Sequence, residues 1–116
     1  MVEYQDAQLD AVFHALSDRT RRGMLKAMSD GEKPIVELAR PYSMTFAGAS
    51  KHVRVLERAG LVRRRVAGRT HLCRLEPQRL AEAQRWIATY ERFWTGRLDA
   101  LEAALLDEQG ENHGPD

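Results

Sequence analysis

The last third of the chain carries one long apolar stripe, which limits the possible folds more than any other feature. From Pro77, a residue suited to the first turn of a helix, apolar residues recur every three or four positions to about Leu106. An unbroken helix over residues 77–107 would be roughly 45 Å long and would outreach the small body that precedes it. We therefore expect a second copy of the chain to cover the stripe, while Gly96 leaves open whether the helix is bent or broken. The stripe consists of Leu80, Ala83, Ile87, Tyr90, Trp94, Leu98, Leu101 and Leu105, with Trp86, Phe93 and Ala100 beside it.

Shorter helices are predicted in the first forty residues. Ser17 or Asp18 can cap the second of them, which stops at Asp30-Gly31. A short third helix over residues 35–40 ends before Pro41, which cannot continue it. The first helix ends near Ser17, and its apolar spacing of three and four residues is formed by Leu9, Val12, Phe13 and Leu16.

The next two segments predict a winged helix-turn-helix. Thr45 is suited to cap a helix that ends at Ala59-Gly60, so residues 35–59 form two helices joined by a turn. Residues 61–75 then alternate apolar with basic side chains around a central glycine, Gly68, as in a two-stranded hairpin. The expected fold class is mainly α with a small β-hairpin. We expect one domain over residues 1–108, with a disordered tail at 109–116.

Charge is strongly segregated along the chain, although the formal net charge is only +1. Residues 40–74 contain nine Lys and Arg residues against Glu57 alone, whereas residues 99–116 contain six acidic residues and no Lys or Arg. This asymmetry indicates a polyanion-binding middle and an acidic end that stays away from the ligand. Double-stranded DNA is the polyanion that a winged helix-turn-helix suits.

The fourth helix, as the recognition helix, presents small and basic side chains opposite its apolar stripe. We expect Ser50 and Lys51 at base edges or nearby phosphates and Arg54 at a phosphate, while Ala47 lets the backbone approach closely. Thr45 combines a capping role with a phosphate contact. In the wing, alternation along the strand allows at most two of residues 63–65 to face one side. The expected wing contacts are Arg65, Arg69, Thr70 and His71.

Several residues have two interpretations from the sequence. Phe46 either touches a thymine methyl group or packs beneath the helix, and packing is the preferred interpretation. His52 lies toward the buried side, where a hydrogen-bonded structural role is expected. The arginines that open the second helix either contact phosphate or bond within the fold; they are Arg19, Arg21 and Arg22.

Three segments together resemble the ArsR/SmtB-like (arsenic-repressor) family of winged-helix regulators. They are residues 16–22 (LSDRTRR), residues 37–39 (ELA) and residues 50–62 (SKHVRVLERAGLV), and the resemblance runs from about Leu9 to Leu75. It implies a homodimer joined through its first and last helices, a palindromic operator and repression relieved by an effector that the sequence does not identify. The expected dimerisation residues are Leu9, Phe13, Trp86, Tyr90, Phe93, Trp94, Leu98 and Leu101.

The chain departs from the metal-sensing members of that family. The helix over residues 35–39 lacks their cysteine pair, and the last helix offers carboxylates but no histidine, so we expect no metal and no cofactor. A structural role is expected for Cys73. A metal- or redox-responsive sensor remains an alternative, in which His113, Cys73 and tail carboxylates assemble across the dimer. A winged helix that binds an acidic protein partner is another.

Other classes of protein fit the sequence less well. The serines have no base and orienting partner at a readable spacing, and no glycine loop could cradle a phosphate, so an enzyme is not expected. The amino-terminal ten residues lack the pattern of a signal peptide, and no apolar run reaches the roughly 20 residues of a membrane helix. One cysteine is consistent with a reducing compartment, and a cytoplasmic location away from membranes is expected.

Overall fold

The computed structural model describes the backbone of residues 2–112 and the side chains of residues 6–108. By its backbone contacts the described part of the chain divides into two units, the first ending at Ala83 and the second beginning at Gln84. The elements in chain order are α1 (Val2–Leu16), α2 (Arg19–Ala27), β1 (Lys33–Pro34), α3 (Ile35–Ala39), α4 (Phe46–Arg58), β2 (Val62–Ala67), β3 (Thr70–Leu75) and α5 (Pro77–Asn112).

Side chains from four helices form the core of the first unit. Val12 of α1, Met24 of α2, Leu38 of α3, and Val53 and Leu56 of α4 are all buried and belong to one cluster. Each burial removes an apolar side chain from water and stabilises the fold by about 1.5–3 kcal/mol. The apolar residues that recur along these helices therefore pack into one common core, and the opposite face of α4 is exposed to solvent.

Side-chain caps determine where two of these helices begin. The carboxylate of Asp18, rather than Ser17, accepts a hydrogen bond from the backbone N–H of Arg21 at 3.0 Å. This bond is the main cause that lowers the pKa of Asp18 below its usual value of 3.8. Thr45 accepts from the backbone N–H of Gly48 at 3.0 Å, which confirms its predicted role as the cap of α4.

The wing is part of a three-stranded antiparallel sheet with strand order β1-β3-β2. The hairpin of β2 and β3 turns at Gly68 and Arg69, and a φ of +64° at Gly68 fits a type II′ turn, which needs glycine at its first central position. The third strand was not predicted, because two residues, Lys33 and Pro34, are too few to show a period. Their pairing with β3 fixes the base of the wing next to α3.

The second unit, as far as it is described, consists of the remainder of α5. The helix runs through Gly96 without interruption and ends at Asn112, beyond the predicted end near residue 107. Glu108 and Gln109 are good helix formers, which is consistent with the longer helix. Of the predicted tail, residues 109–112 belong to α5 and residues 113–116 lie outside the described residues.

None of the described helices has the combination of length and apolar character that crossing a bilayer requires.

Candidate nucleic-acid interface

The solvent face of α4 carries the residues predicted to read DNA. At 100° per residue, Ala47, Ser50, Lys51 and Arg54 lie within one sector about 100° wide, opposite the buried Leu56. Ala47, Lys51 and Arg54 are exposed and Ser50 is half-buried. The sequence thus places a small, polar and cationic surface on one side of the helix, because the apolar side is used by the core.

The nine basic residues of the middle segment fall into two groups in the structure. Four are paired with carboxylates: Arg63, Arg64, Arg65 and Arg74. The other five have no acidic partner among the described residues: Arg40, Lys51, Arg54, Arg58 and Arg69. The unpaired group includes both predicted cations of the recognition helix and the arginine of the wing turn, whereas the paired arginines all lie on β2 and β3. Free positive charge is therefore concentrated on α4 and at the tip of the wing.

Arg65, a predicted wing contact, is held by an acidic residue from a distant part of the chain. Its Nε donates to Glu32 Oε2 at 2.9 Å and its Nη2 donates to Glu32 Oε1 at 2.8 Å. This two-bond pair lowers the pKa of the Glu32 carboxyl and raises the pKa of Arg65. A phosphate contact by Arg65 would compete with this pair, so the structure offers Arg69 as the freer cation.

The hairpin register places the predicted wing residues on different sides. Arg65 pairs with Leu72 and lies on the same face as Thr70, whereas His71 pairs with Val66 on the other face. His71 is half-buried, and its Nδ1 lies 3.2 Å from Nη1 of Arg64. Because side chains alternate between the two faces of a strand, His71 lies on the face opposite Arg65 and Thr70 and does not cluster with them.

Phe46 does not pack beneath α4, so the preferred interpretation of this residue was wrong. Its side chain is 53% exposed, whereas Ala49 and Val53 behind it are fully buried. Phe46 is the first residue of α4 and lies at the edge of the apolar stripe. The core below the helix begins only one turn later, at Ala49, which explains why periodicity alone misplaced the ring.

Arg21 is a structural residue that the sequence interpretation left open. It is 8% exposed, and it donates from Nε to the carbonyl of Ala15 at 2.8 Å and from Nη2 to that of His14 at 3.0 Å. Its Nη1 lies 3.3 Å from Nδ1 of His52, which confirms the hydrogen-bonded role expected for that histidine. A sequence signal existed: Arg21 precedes Met24 by three residues and so occupies the first position of the buried stripe of α2.

The predicted dimerisation residues differ in exposure. In the first unit, Leu9 and Phe13 are half-buried against the core. In the second unit, the aromatic rings interact along the helix: the Trp86 and Tyr90 ring centroids are 4.7 Å apart, and the Arg97 guanidinium lies 4.3 Å from the Phe93 centroid. All predicted residues of this unit are exposed, namely Trp86, Tyr90, Phe93, Trp94, Leu98 and Leu101.

Cys73 is buried on the inner face of the hairpin. Burial raises the pKa of its thiol to about 11, so the reactive thiolate is scarce at neutral pH. Within residues 6–108, no three His, Cys, Asp or Glu side chains are grouped as a metal site would need. His113 of the sensor alternative lies outside the described residues.

Comparison with known proteins agrees with this geometry. Residues 16–65 match the family model described as a helix-turn-helix domain. The chain is 34% identical over 103 residues to the HTH-type transcriptional regulator Rv2034 of Mycobacterium tuberculosis, covering 89% of this chain and 92% of that protein.

Two solved structures extend the likeness to the fold. The crystal structure of an ArsR family transcriptional regulator, RHA00566, is 33% identical with a TM-score of 0.73, covering 78% of this chain and 93% of that one. The solution structure of the homodimeric winged helix-turn-helix DNA-binding domain of Mb0332 from Mycobacterium bovis is 25% identical with a TM-score of 0.54, covering 99% of this chain and 90% of that one. The helix-turn-helix of residues 35–58, its wing and these relatives together show that the chain is a DNA-binding transcriptional regulator of the ArsR family.

Proposed function

We propose that this regulator is a repressor rather than an enzyme. It binds a palindromic operator in the cytoplasm as a homodimer and is released by an effector. Residues 1–108 act as one DNA-binding and dimerisation domain in this proposal. The observation that carries it is the set of unpaired cations at the recognition helix and the wing turn, namely Lys51, Arg54 and Arg69.

Each part of this surface has a distinct role in the proposal. Lys51 and Ser50 reach base edges or nearby phosphates, since both project from the exposed sector of α4, and Ala47 lets the helix enter the major groove closely. Arg54 binds a phosphate. The cap residue Thr45 adds a contact at the start of the helix.

The wing supplies contacts beside the recognition helix. Arg69 and Thr70 are exposed at the turn and lie along the phosphate backbone or enter the minor groove. Arg65 joins them only by exchanging Glu32 for a phosphate, and His71 contributes from the opposite face of the hairpin. The wing contacts therefore depend most on Arg69.

A homodimer is favoured by the exposed apolar stripe of α5. Six large side chains lie within about 80° of the helix surface, which is too much apolar surface to leave in water. The relative Mb0332 is described as homodimeric, which supports the same assembly here. Two recognition helices about 34 Å apart would then read adjacent half-sites of a symmetric operator. These six exposed side chains of the stripe are Ile87, Tyr90, Trp94, Leu98, Leu101 and Leu105.

The experiment has three readouts, namely gel retardation, sedimentation and selection of duplexes. Gel retardation of random duplex DNA by micromolar protein should weaken steeply between roughly 50 and 200 mM salt, because phosphate contacts release counterions. Sedimentation of the complex should give two chains per duplex, and duplexes selected from a random pool should share two inverted half-sites. No retardation at low salt would contradict DNA binding, and one chain per duplex would contradict the homodimer.

A further inference from the structure

The proposed DNA-binding side of the molecule exposes apolar side chains, for which phosphate binding by Lys and Arg gives no reason. Outside α5, three large apolar side chains of the described residues stay exposed: Val36 (58%), Phe46 (53%) and Val66 (59%). Single exposed apolar residues are ordinary on protein surfaces. Here, however, Val36 and Phe46 line the same groove, so their exposed surfaces belong to one place in the fold.

This groove lies between the helix-turn-helix and the wing. Val36 of α3 and Phe46 of α4 line one part of it, and Arg69, Thr70 and His71 of the wing line another, around a volume of about 290 Å³. Phe46 is the first residue of α4, the end of a recognition helix whose residues contact base edges. The Phe46 ring therefore lies at a position from which a recognition helix contacts a base.

We propose that Phe46, together with Val36, recognises the C5-methyl group of a thymine in the operator, an inference that rests on the proposed DNA-binding function. The major groove presents hydrogen-bonding atoms at every base pair but only one apolar group, the thymine methyl. Arg69, which lines the groove, and Lys51, which follows Phe46 on α4, have no acidic partner among the described residues, and these cations favour a polyanionic duplex as the occupant. The surrounding cations supply affinity for any duplex, and the ring supplies preference for thymine at one position of each half-site.

The test replaces thymine by deoxyuridine, which lacks only the methyl group. Duplexes are first selected from a random pool with the wild-type protein, and the best one is then resynthesised with deoxyuridine at each thymine in turn, in both half-sites. Dissociation constants are measured at one salt concentration for wild type, Phe46→Ala, Phe46→Leu and Val66→Ala. Val66→Ala is the matched control, because Val66 is exposed to the same degree but does not line the groove.

At one thymine position, deoxyuridine should weaken wild-type binding about fourfold per half-site, as expected for one buried methyl group. For Phe46→Ala, the dissociation constants for the deoxyuridine and thymine duplexes should be nearly equal at that position. Phe46→Leu and Val66→Ala should still bind the deoxyuridine duplex more weakly than the thymine duplex. A sensitivity that persists in Phe46→Ala, or no sensitive thymine at all, overturns the inference while leaving DNA binding intact. Failure to enrich any duplex overturns the proposed function, and this inference with it.

Discussion

Nη1 of Arg21 lies 3.3 Å from Nδ1 of His52, so a buried guanidinium of α2 contacts the side chain at the middle of α4. The same guanidinium donates to the last carbonyls of α1, and the Asp18 carboxylate lies 3.8 Å from His52 Nδ1. One cation therefore joins three helices and fixes the recognition helix against the body. This arrangement links the stability of the core to the position of the proposed DNA-binding surface.

Replacing Arg21 by methionine should lower the free energy of unfolding by about 1–3 kcal/mol. The variant keeps an apolar stem but leaves the carbonyls of His14 and Ala15 without their donors. Chemical denaturation measures the change. Arg19→Met is the control and should stay within about 0.5 kcal/mol, because Arg19 is exposed and has no partner among the described residues. Equal midpoints for the two variants would contradict the structural role.

The recognition helix is tested by Lys51→Ala and Arg54→Ala. Each should weaken operator binding by roughly 1–3 kcal/mol without changing thermal unfolding, since both side chains are exposed and unpaired. Lys26→Ala, an exposed cation at the end of α2, should bind almost as the wild type does. If Lys51→Ala, Arg54→Ala and wild type bind equally at one salt concentration, the assignment of the recognition helix is wrong.

Glu32→Gln should strengthen binding to duplex DNA at low salt. The change releases Arg65 for a phosphate and removes a negative charge beside the wing. In the homodimer complex, the slope of log affinity against log salt should steepen by about 1.8, the effect of one added phosphate contact in each of the two wings. Titration series for the variant, for wild type and for Asp10→Asn on α1 measure this slope. An unchanged slope in Glu32→Gln would show that Arg65 does not reach DNA.

The pair of Glu32 and Arg65 also predicts a pH dependence of stability. Because the pKa of Glu32 is lowered in the folded chain, the unfolded state binds more protons than the folded state below the usual value of 4.5. The contribution of the pair is complete above that pH and is lost as acid protonates the carboxylate. Glu32→Gln should therefore reduce the fall in melting temperature between neutral pH and pH 4. The same fall in variant and wild type would contradict this role.

Polar replacement of Trp94 and Leu101 by glutamine should shift the chain toward monomers. Both side chains lie in the exposed stripe of α5, which we propose is buried in the homodimer. Sedimentation at low protein concentration measures the shift. The control variant combines Arg92→Gln with Asp99→Asn on the opposite face of the same helix. Identical profiles for the glutamine variant and wild type would refute the proposed interface.

Cys73 should resist alkylation in the folded protein at pH 8. With a thiol pKa of about 11, only about one molecule in a thousand carries the thiolate, and the side chain is buried as well. Mass spectrometry should find slow labelling in the native protein and complete labelling in denaturant. Rapid native labelling would instead favour the redox-sensor alternative.

Local patterns in the sequence were sufficient for the helix-turn-helix and the wing. Thr45 caps α4, glycine follows its end at Gly60, and Gly68 turns the hairpin, and each of these signals acts over a few residues. The exposed face of α4 followed from the same periodicity, because a buried stripe on one side leaves the other side to solvent. Long-range contacts are not needed for any of these conclusions.

The tertiary structure alone decided which charges remain free and which side chains are buried. The acidic residue nearest to Arg65 in space, Glu32, is 33 positions away in the chain, so counting charges along the sequence could not reveal the pair. Arg21 is buried because carbonyls at the end of α1 meet it, and Phe46 is exposed because the core starts one turn beyond it. Ion pairing and burial depend on which segments of the chain are in contact, and contacts between distant segments form only in the complete fold.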